Sequence, residues 1–362
     1  MHKYFALAAL AVLAACNGKN NYDAPKELRV DADRCVAVDV DTTRMVRLEA
    51  SDSSRLFGID RLLPIGGAYV VSSRSKLRAF DKATGRYLCD VAKYGTAEQD
   101  FSDISNAWSC GDTIMLFDAN TKSVGKYLAD GTFVGKDHPF RNTQFRKNQP
   151  PRMLFKLADG SVITINGSTG GSTQRNPLVS LYGNDYSYRK ALPGRQVKES
   201  SYLMDGACPD SIRQRMLIWE PLRDTVFAAN STGIRPAYVL NTGKNSLPAY
   251  IQNLPHMRER LSAFFSKENG NGTAYVSLIR YLQPDGDNLY FCLTGSDRRN
   301  YLVRYDTTSD SCNVRTYASA DGRYSQTTFF LLDCDSLRME LRDNANIESN
   351  PIIYSIHKHE LQ

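Results

Sequence analysis

A unit of four short apolar runs separated by turns recurs along the chain. It is clearest over 58–93, as GIDRLLPI, AYVVSS, KLRAFD and GRYLCDVAK, and over 104–136, as ISNAWS, DTIMLFD, KSVGKYLA and GTFVGK. Short runs rich in β-branched and aromatic residues, bounded by Gly, Asn or Asp, predict strands. A repeat of ~40–50 residues with four strands is typical of a β-propeller blade.

Four further copies bring the expected number of blades to six. The third covers 153–192, a more divergent fourth covers 215–252, and the fifth covers 275–318. The last, over 327–358, contains only three strands, so we expect MVRLE at 45–49 to supply its fourth. Such closure by the N-terminal strand removes an exposed sheet edge. The predicted fold is therefore an all-β, six-bladed β-propeller of four-stranded antiparallel blades; a seventh blade stays open if 202–209 contain a degenerate strand.

One amphipathic segment predicts a helix inserted between the fourth and fifth blades. It covers 255–270, with a proline at its start and a glycine after its end. Met257, Leu261, Phe264 and Phe265 fall on one face of this helix. We expect that face to pack on the propeller or to cover one of its ends.

The N-terminus predicts export and lipid anchoring. A basic start precedes a short apolar run and the sequence LAAC, which ends at Cys16. The run is too short to span a bilayer, so residues 1–15 are expected to be a signal peptide. A diacylglycerol on Cys16 would hold the protein in the bilayer. An ordinary signal peptide that ends near a cysteine is the alternative interpretation.

The domain plan follows from this anchor. Residues 16–32 are expected to be a flexible tether and 33–362 the propeller. The location is the cell envelope, with the outer membrane favoured. Because no acidic run follows Cys16, the periplasmic and the surface orientation both stay open.

Charge and cysteine content exclude some classes of function. The formal net charge of +6 is spread along the chain without a Lys/Arg block, which argues against nucleic acid as a partner. Seven cysteines remain besides Cys16, so at least one is unpaired. Cys89 and Cys292 lie in apolar runs, which favours buried thiols, with one or two disulfides as the alternative.

The sequence also resembles a known family. The LAAC motif, the VRLEA segment, the stretch 77–104 and the stretch 112–136 together resemble the six-bladed β-propeller lipoproteins of Gram-negative gut bacteria, which are similar to NHL and TolB-type propellers. The resemblance implies a fold and a compartment and no particular activity. Many relatives have a glycine-rich turn where this chain has YGTAEQDF, which keeps Gly95, Glu98 and Phe101.

Motifs for catalysis are absent from the sequence, and no cofactor is expected. No GxSxG, P-loop or HExxH occurs. Polar residues of the predicted innermost strands would point into the central channel, and these are Asp60, Asn106, Glu220 and Asp333. If they converge, a metal-dependent hydrolase, lactonase or lyase is the alternative function.

The favoured function is non-enzymatic: a membrane-anchored protein that binds or scaffolds a glycan, peptide or protein partner through loops on one face. The residues predicted for that face are Tyr94, Glu98, Phe101, Trp108, Arg141, Phe145 and Arg146. Asp-Thr pairs resemble the O-glycosylation sequon of the same bacteria, with Thr113 and Thr225 as the expected acceptors. Ordinary turn chemistry is the equal alternative.

Overall fold

The computed structural model describes residues 24–73, 75–140, 151–157, 159–166, 176–177, 179–191, 196–197, 206–210, 212–254, 257–266, 274–333, 336–346 and 349–361. Its strands are, in chain order, β1 Lys26–Arg29, β2 Val36–Asp39, β3 Met45–Arg47, β4 Arg61–Ile65, β5 Ala68–Ser73, β6 Lys76–Asp81, β7 Tyr87–Ala92, β8 Asn106–Cys110, β9 Thr113–Asp118, β10 Ser123–Tyr127, β11 Phe133–Asp137, β12 Pro151–Lys156, β13 Val162–Asn166, β14 Asn176–Pro177, β15 Val179–Tyr182, β16 Tyr188–Ala191, β17 Gln196–Val197, β18 Ala207–Asp210, β19 Arg215–Trp219, β20 Thr225–Ala229, β21 Ile234–Asn241, β22 Val276–Asp285, β23 Asn288–Gly295, β24 Asn300–Asp306, β25 Cys312–Ala318, β26 Tyr324–Asp333, β27 Ser336–Asp343 and β28 Ile352–His357. The α-helices are α1 Ala249–Gln252 and α2 Met257–Phe265, and 3₁₀ helices lie at Ala32–Arg34, Thr42–Arg44, Gly243–Asn245 and Lys358–Leu361.

The sheets form a propeller arrangement of mostly four-stranded antiparallel units, which confirms the predicted all-β fold. Three sheets have four strands each, in the orders β4-β5-β6-β7, β8-β9-β10-β11 and β12-β13-β15-β16. A five-stranded sheet has the order β18-β19-β20-β21-β1. A nine-stranded sheet has the order β22-β23-β24-β25-β26-β27-β28-β3, with β2 added beside β25. β14 and β17 form a separate pair.

Apolar side chains pack between consecutive sheets and form the core. Between the first two sheets, Val70, Leu77, Ile114 and Leu116 are buried in one cluster. Alternation along each strand produces this pattern, because successive side chains point to opposite faces and each face meets a neighbouring sheet. Each such buried side chain stabilises the fold by about 1.5–3 kcal/mol.

The N-terminal strand β3 joins the first and last parts of the propeller, as the sequence predicted. It pairs antiparallel with β28, with Val46 opposite Ile353. Asn350 reinforces this closure: its Oδ1 accepts a hydrogen bond of 2.7 Å from the Leu56 backbone N–H, and its Nδ2 donates one of 3.0 Å to the Ser54 carbonyl. Because Asn350 is buried, these bonds satisfy backbone groups that water does not reach.

Two further N-terminal strands bind the outer edges of the propeller. β1 pairs in parallel with β21, and β2 pairs in parallel with β25. Leu28 and Val30 are 1% and 3% exposed and belong to the core. The predicted tether over 16–32 is therefore wrong in its last part, where alternating apolar residues make residues 26–30 a component of the fold.

The divergent fourth copy differs from the prediction. Its first strand is β18, a four-residue strand within the stretch ACPD, and RMLIW forms the second strand, β19, instead of the innermost one. The segment expected to form its last strand, LPAYIQ, contains α1 instead. The strand near 202–209 thus completes the fourth sheet, where it pairs with β19.

The predicted helical insertion is present as α2. Phe264 of α2 and Ile251 of α1 pack with Leu222, Leu247 and Leu278 in one buried cluster. The two helices therefore fasten onto the fourth and fifth groups of strands at one end of the propeller. Every cysteine within the described ranges, Cys35, Cys89, Cys110, Cys208, Cys292 and Cys312, is a free thiol.

Candidate functional site: an axial cavity

The first strands of five successive strand groups line a cavity along the axis of the propeller. We call its part near the ends of these strands the upper chamber; its volume is ≈ 430 Å³. The part near their beginnings is the lower chamber, of ≈ 410 Å³. Arg61, Ala207 and Tyr281 line both chambers and form the waist between them. Volumes of this size are typical of sites for small ligands.

The walls of the upper chamber combine aromatic and polar side chains. Trp108 of β8 and Phe155 of β12 are half-buried and contribute apolar surface. Arg61 and Leu63 of β4 both line the cavity because residues two apart point to the same side of a strand. The phenol of Tyr281 donates a hydrogen bond of 2.7 Å to Oε1 of Gln283, which also lines the upper chamber.

α2 covers the lower chamber. Leu261 and Phe265 of this helix line it, together with Trp219 of β19. The indole N–H of Trp219 donates a hydrogen bond of 3.2 Å to the Ile279 carbonyl. This bond satisfies the one polar group of a side chain that is otherwise buried.

The carboxylates that line the upper chamber already have cationic partners. Asp210, whose side chain is 1% exposed, accepts from Arg215 at 2.9 Å and lies 3.7 Å from Arg213. Asp285 lies 2.8 Å from the ammonium group of Lys358. These pairs leave little negative charge directed into the cavity.

Two arginines of the cavity have no such partner. Arg61 at the waist and Arg280 in the lower chamber form no ion pair or side-chain hydrogen bond with any residue of the described ranges. The positive charge of Arg61 acts on the Cys208 thiol and the Tyr281 phenol, where it tends to lower the pKa. Burial raises the pKa of Cys208 to about 12 and raises the pKa of Tyr281 further, so both groups are neutral near pH 7 and neither balances the charge of Arg61.

A buried acceptor is also unused in the upper chamber. Asn106 is 1% exposed, and its Nδ2 donates to the Leu154 carbonyl at 3.1 Å. Its Oδ1 has no hydrogen-bond partner in the part of the chain that the structure describes. A buried amide oxygen without a donor costs about 1–3 kcal/mol, so it favours a bound group that donates.

The four residues predicted to hold a metal occupy different places. Asp60 lines the lower chamber and Asn106 the upper one. Glu220 follows the second strand of its sheet instead of lying on the innermost strand, because β18 takes that position, and it lies 3.8 Å from Arg223. The side chain of Asp333 lies outside the described residues. Within the described ranges, no three His, Cys, Asp or Glu residues are close enough to hold a metal ion.

The loop after the first sheet is held by internal contacts. Phe101, predicted as a contact for a partner, is 2% exposed and packs in the core, which corrects that prediction. Tyr94 is 69% exposed and meets the Phe101 ring edge-on at 6.3 Å. The Gln99 carbonyl accepts from the Tyr127 hydroxyl at 3.1 Å. Glu98 is exposed on this loop.

The remaining predicted site residues fall in several regions. Trp108 lines the upper chamber. Arg141, Phe145 and Arg146 lie outside the described residues. Thr113 and Thr225, the predicted glycosylation sites, are half-buried first residues of β9 and β20. The Thr225 hydroxyl donates to Asp224 at 2.9 Å.

Sequence reasoning missed the arginine and tyrosine at the waist. Arg61 opens the otherwise apolar strand RLLPI, and Tyr281 follows Arg280 within the apolar run VSLIRYL. A charged residue in the first strand of a blade is a signal for the channel, because that strand has the axis beside it.

A second cavity of ≈ 540 Å³ lies where the chain closes on itself. Thr327, Glu340 and Asn350 contribute to its lining. Burial raises the pKa of Glu340 to about 7, and the charge of Asp60 raises it in the same direction. The Thr327 hydroxyl, which donates to the Glu340 backbone carbonyl at 3.0 Å, and the Ile59 backbone N–H oppose this pKa shift without cancelling it.

Comparisons with known proteins find one matching family model and solved structures of similar fold. A family model described as "Domain of unknown function (DUF4934)" matches residues 20–356. A "putative exported protein" (BF0058) from Bacteroides fragilis has a similar structure, with a TM-score of 0.62, 14% identity, and coverage of 92% of this chain and 100% of that one. A DUF4221-family member from Bacteroides vulgatus has a TM-score of 0.54 and 7% identity, over 87% of this chain and 96% of that one.

These structural similarities concern the fold. Among curated proteins, no sequence matches this chain. In the described ranges, neither helix has the length and apolar character needed to cross a membrane.

Proposed function

The chain belongs to the DUF4934 family, and we propose that it is an exported, lipid-anchored β-propeller that binds a ligand in its upper chamber without catalysing a reaction. The observation that carries this proposal is the cavity of ≈ 430 Å³ lined by five groups of strands. A cavity that combines aromatic walls with a few polar groups is the usual form of a ligand site. The ligand classes that fit the fold are a glycan, a peptide or a segment of a partner protein.

The N-terminal motif and a structural similarity support export and anchoring. The LAAC motif at residues 13–16 places Cys16 where a lipoprotein is acylated. A structure of the same fold carries the description of an exported protein, and it extends over 92% of this chain. We propose that Cys16 anchors the propeller in the cell envelope, with the outer membrane as the favoured site.

Packing supports six blades. Three four-stranded sheets and the five-stranded sheet account for four. The nine-stranded sheet divides into two groups that are joined by a single pair, Ala318 with Ser325. Separate apolar clusters lie between each consecutive pair of these six groups, including a cluster in which Ile353 of the last group meets Tyr69 of the first. This ring is the arrangement that a six-bladed, NHL-like or TolB-like propeller requires.

The chemistry of the chamber supports binding without catalysis. The Cys208 thiol is a poor nucleophile when burial raises its pKa to about 12. Asp210 is held by two arginines and is not a free base. Catalysis by general acid and base groups needs a pKa near the operating pH, and the chamber does not provide this at Cys208 or Tyr281.

The tryptophans provide the test. The chain has two, and both line the axial cavity: Trp108 in the upper chamber and Trp219 in the lower one. We expect a ligand from a panel of oligosaccharides, peptides and small organic acids to change the intrinsic fluorescence at saturation. The change should disappear in Trp108→Phe and persist in Trp219→Phe. A saturable ligand whose signal survives Trp108→Phe unchanged would place binding outside the upper chamber and contradict the proposal.

A further inference from the structure

We propose that the upper chamber is a receptor for an organic carboxylic acid: the guanidinium of Arg61 binds the carboxylate, the aromatic wall holds an apolar body, and Asn106 accepts a hydrogen bond from a donor on the ligand. This inference rests on the proposed function, because it names the ligand class of the same cavity. Its three parts come from three separate features of the chamber wall.

The charge of Arg61 favours a bound anion. Its side chain is half-buried at the waist, and no residue of the described ranges forms an ion pair with it. A cation withdrawn from water without a counter-charge is unfavourable, because the protein interior screens and solvates charge less than water does. Cys208 and Tyr281, whose pKa values the charge of Arg61 lowers, nevertheless stay protonated and neutral. The guanidinium of Arg61 is therefore available to form an ion pair with a bound anion.

The chamber's carboxylates do not compete for Arg61. Asp210 is occupied by Arg215 at 2.9 Å, and Asp285 by Lys358 at 2.8 Å. Lys156, an exposed residue at the end of β12, adds a second positive charge to the lining. The upper chamber thus attracts anions and repels cations, and field lines within a cleft of low dielectric strengthen that preference.

The geometry of a guanidinium favours a carboxylate. Its planar fork donates two parallel hydrogen bonds to the two oxygens of a carboxylate. Because Trp108 and Phe155 line the same chamber, the remainder of the ligand meets apolar surface. The unused Oδ1 of Asn106 adds a requirement for an N–H or O–H donor. An N-acylated amino acid has all three features, and so does the C-terminal residue of a peptide.

Matched ligands test the role of charge. Isothermal titration calorimetry on the purified protein compares N-acetyl-leucine and N-acetyl-phenylalanine with their C-terminal amides, which have the same shape without the charge. We expect each acid to bind about tenfold or more tightly than its amide, because the charge-assisted bonds are lost in the amide. Ala-Ala-Leu with a free or an amidated C-terminus distinguishes a peptide from a small free acid, and inorganic phosphate tests for a simple anion site.

Variants then test the residue. Arg61→Gln should lower the affinity for the acid to that for the amide, and Arg61→Lys should retain part of it. Arg280→Gln is the matched control, because it removes from the lower chamber a charge that forms no ion pair with the described residues. That control should leave the difference between acid and amide within about twofold. Since Arg61 forms no ion pair with the described residues, Arg61→Gln should melt at the same temperature as the wild type or higher. The melting temperature therefore separates loss of binding from loss of folding.

The outcomes are distinguishable. Equal binding of acid and amide, or no binding of either, overturns the organic-acid inference. Phosphate that binds as tightly as the acids and is lost in Arg61→Gln also overturns it, in favour of a simple anion site. In each case the proposed function is tested separately by the tryptophan fluorescence of the protein with the wider ligand panel. That test does not require the ligand to have a carboxylate.

Discussion

The substitution Glu340→Gln is expected to stabilise the protein above neutral pH. The pKa of Glu340 rises from 4.5 to about 7 in the folded state, chiefly because of burial. The folded protein therefore holds this proton more tightly than the unfolded chain, and the associated stability is lost as the pH rises from about 4.5 to 7. A shift of this size corresponds to a loss on the order of 3 kcal/mol. Glutamine keeps the shape and an acceptor oxygen and has no such proton to lose.

Urea unfolding at pH 4 and pH 8 measures this effect. Between these values the free energy of unfolding of the wild type should fall by on the order of 3 kcal/mol more than that of Glu340→Gln, since the other titrating groups are common to both proteins. Glu98→Gln is the matched control, because Glu98 is exposed on a loop, and it should follow the wild type. If Glu340→Gln has the same pH dependence as the wild type, the reasoning from burial is refuted.

Two further substitutions test the closure and the N-terminal strands. Asn350→Ala removes the acceptor that the Leu56 backbone N–H reaches at 2.7 Å, and it should lower the free energy of unfolding by about 2–4 kcal/mol. Asn346→Ala is the neighbouring control, because its side chain is exposed. Equal losses of stability in the two variants would contradict the role assigned to Asn350. Leu28→Ala should cost about 2–4 kcal/mol in chemical unfolding, because Leu28 is buried against β21; a loss below about 0.5 kcal/mol would restore residues 26–30 to the tether.

The sequence predicted the fold where alternation was regular. The first, second and fifth copies keep four apolar runs each, and their sheets match those runs. A strand near 202–209 was considered only for a seventh blade and was not assigned to the fourth copy, because ACPD is short and contains a proline and an aspartate, which usually indicate a turn. The pairing of β1 and β2 was not predicted, because parallel pairing on an outer edge depends on which strand is adjacent in space, and no local pattern specifies that.

The candidate site was predicted only in part. Trp108 was predicted for the face that carries the loops between blades, whereas it lies on β8 and lines the upper chamber. Arg61 was missed because its importance comes from lacking a charged partner within the described ranges, and Tyr281 because its importance comes from lying at the waist. Both are properties of the folded arrangement. Phe101 was placed wrongly because an aromatic residue in a polar loop satisfies the same pattern whether it faces solvent or fastens the loop to the core.

Photoaffinity labelling tests the central claim most directly. A set of diazirine probes that includes an N-acyl amino acid, its amide and an oligosaccharide is irradiated with the wild-type protein, and the labelled residues are located by mass spectrometry. The account predicts labelling within β8, β12 and β22, at residues that line the upper chamber, and its loss when an excess of unlabelled ligand is present. Competable labelling confined to surface loops, with these three strands unlabelled, would contradict it.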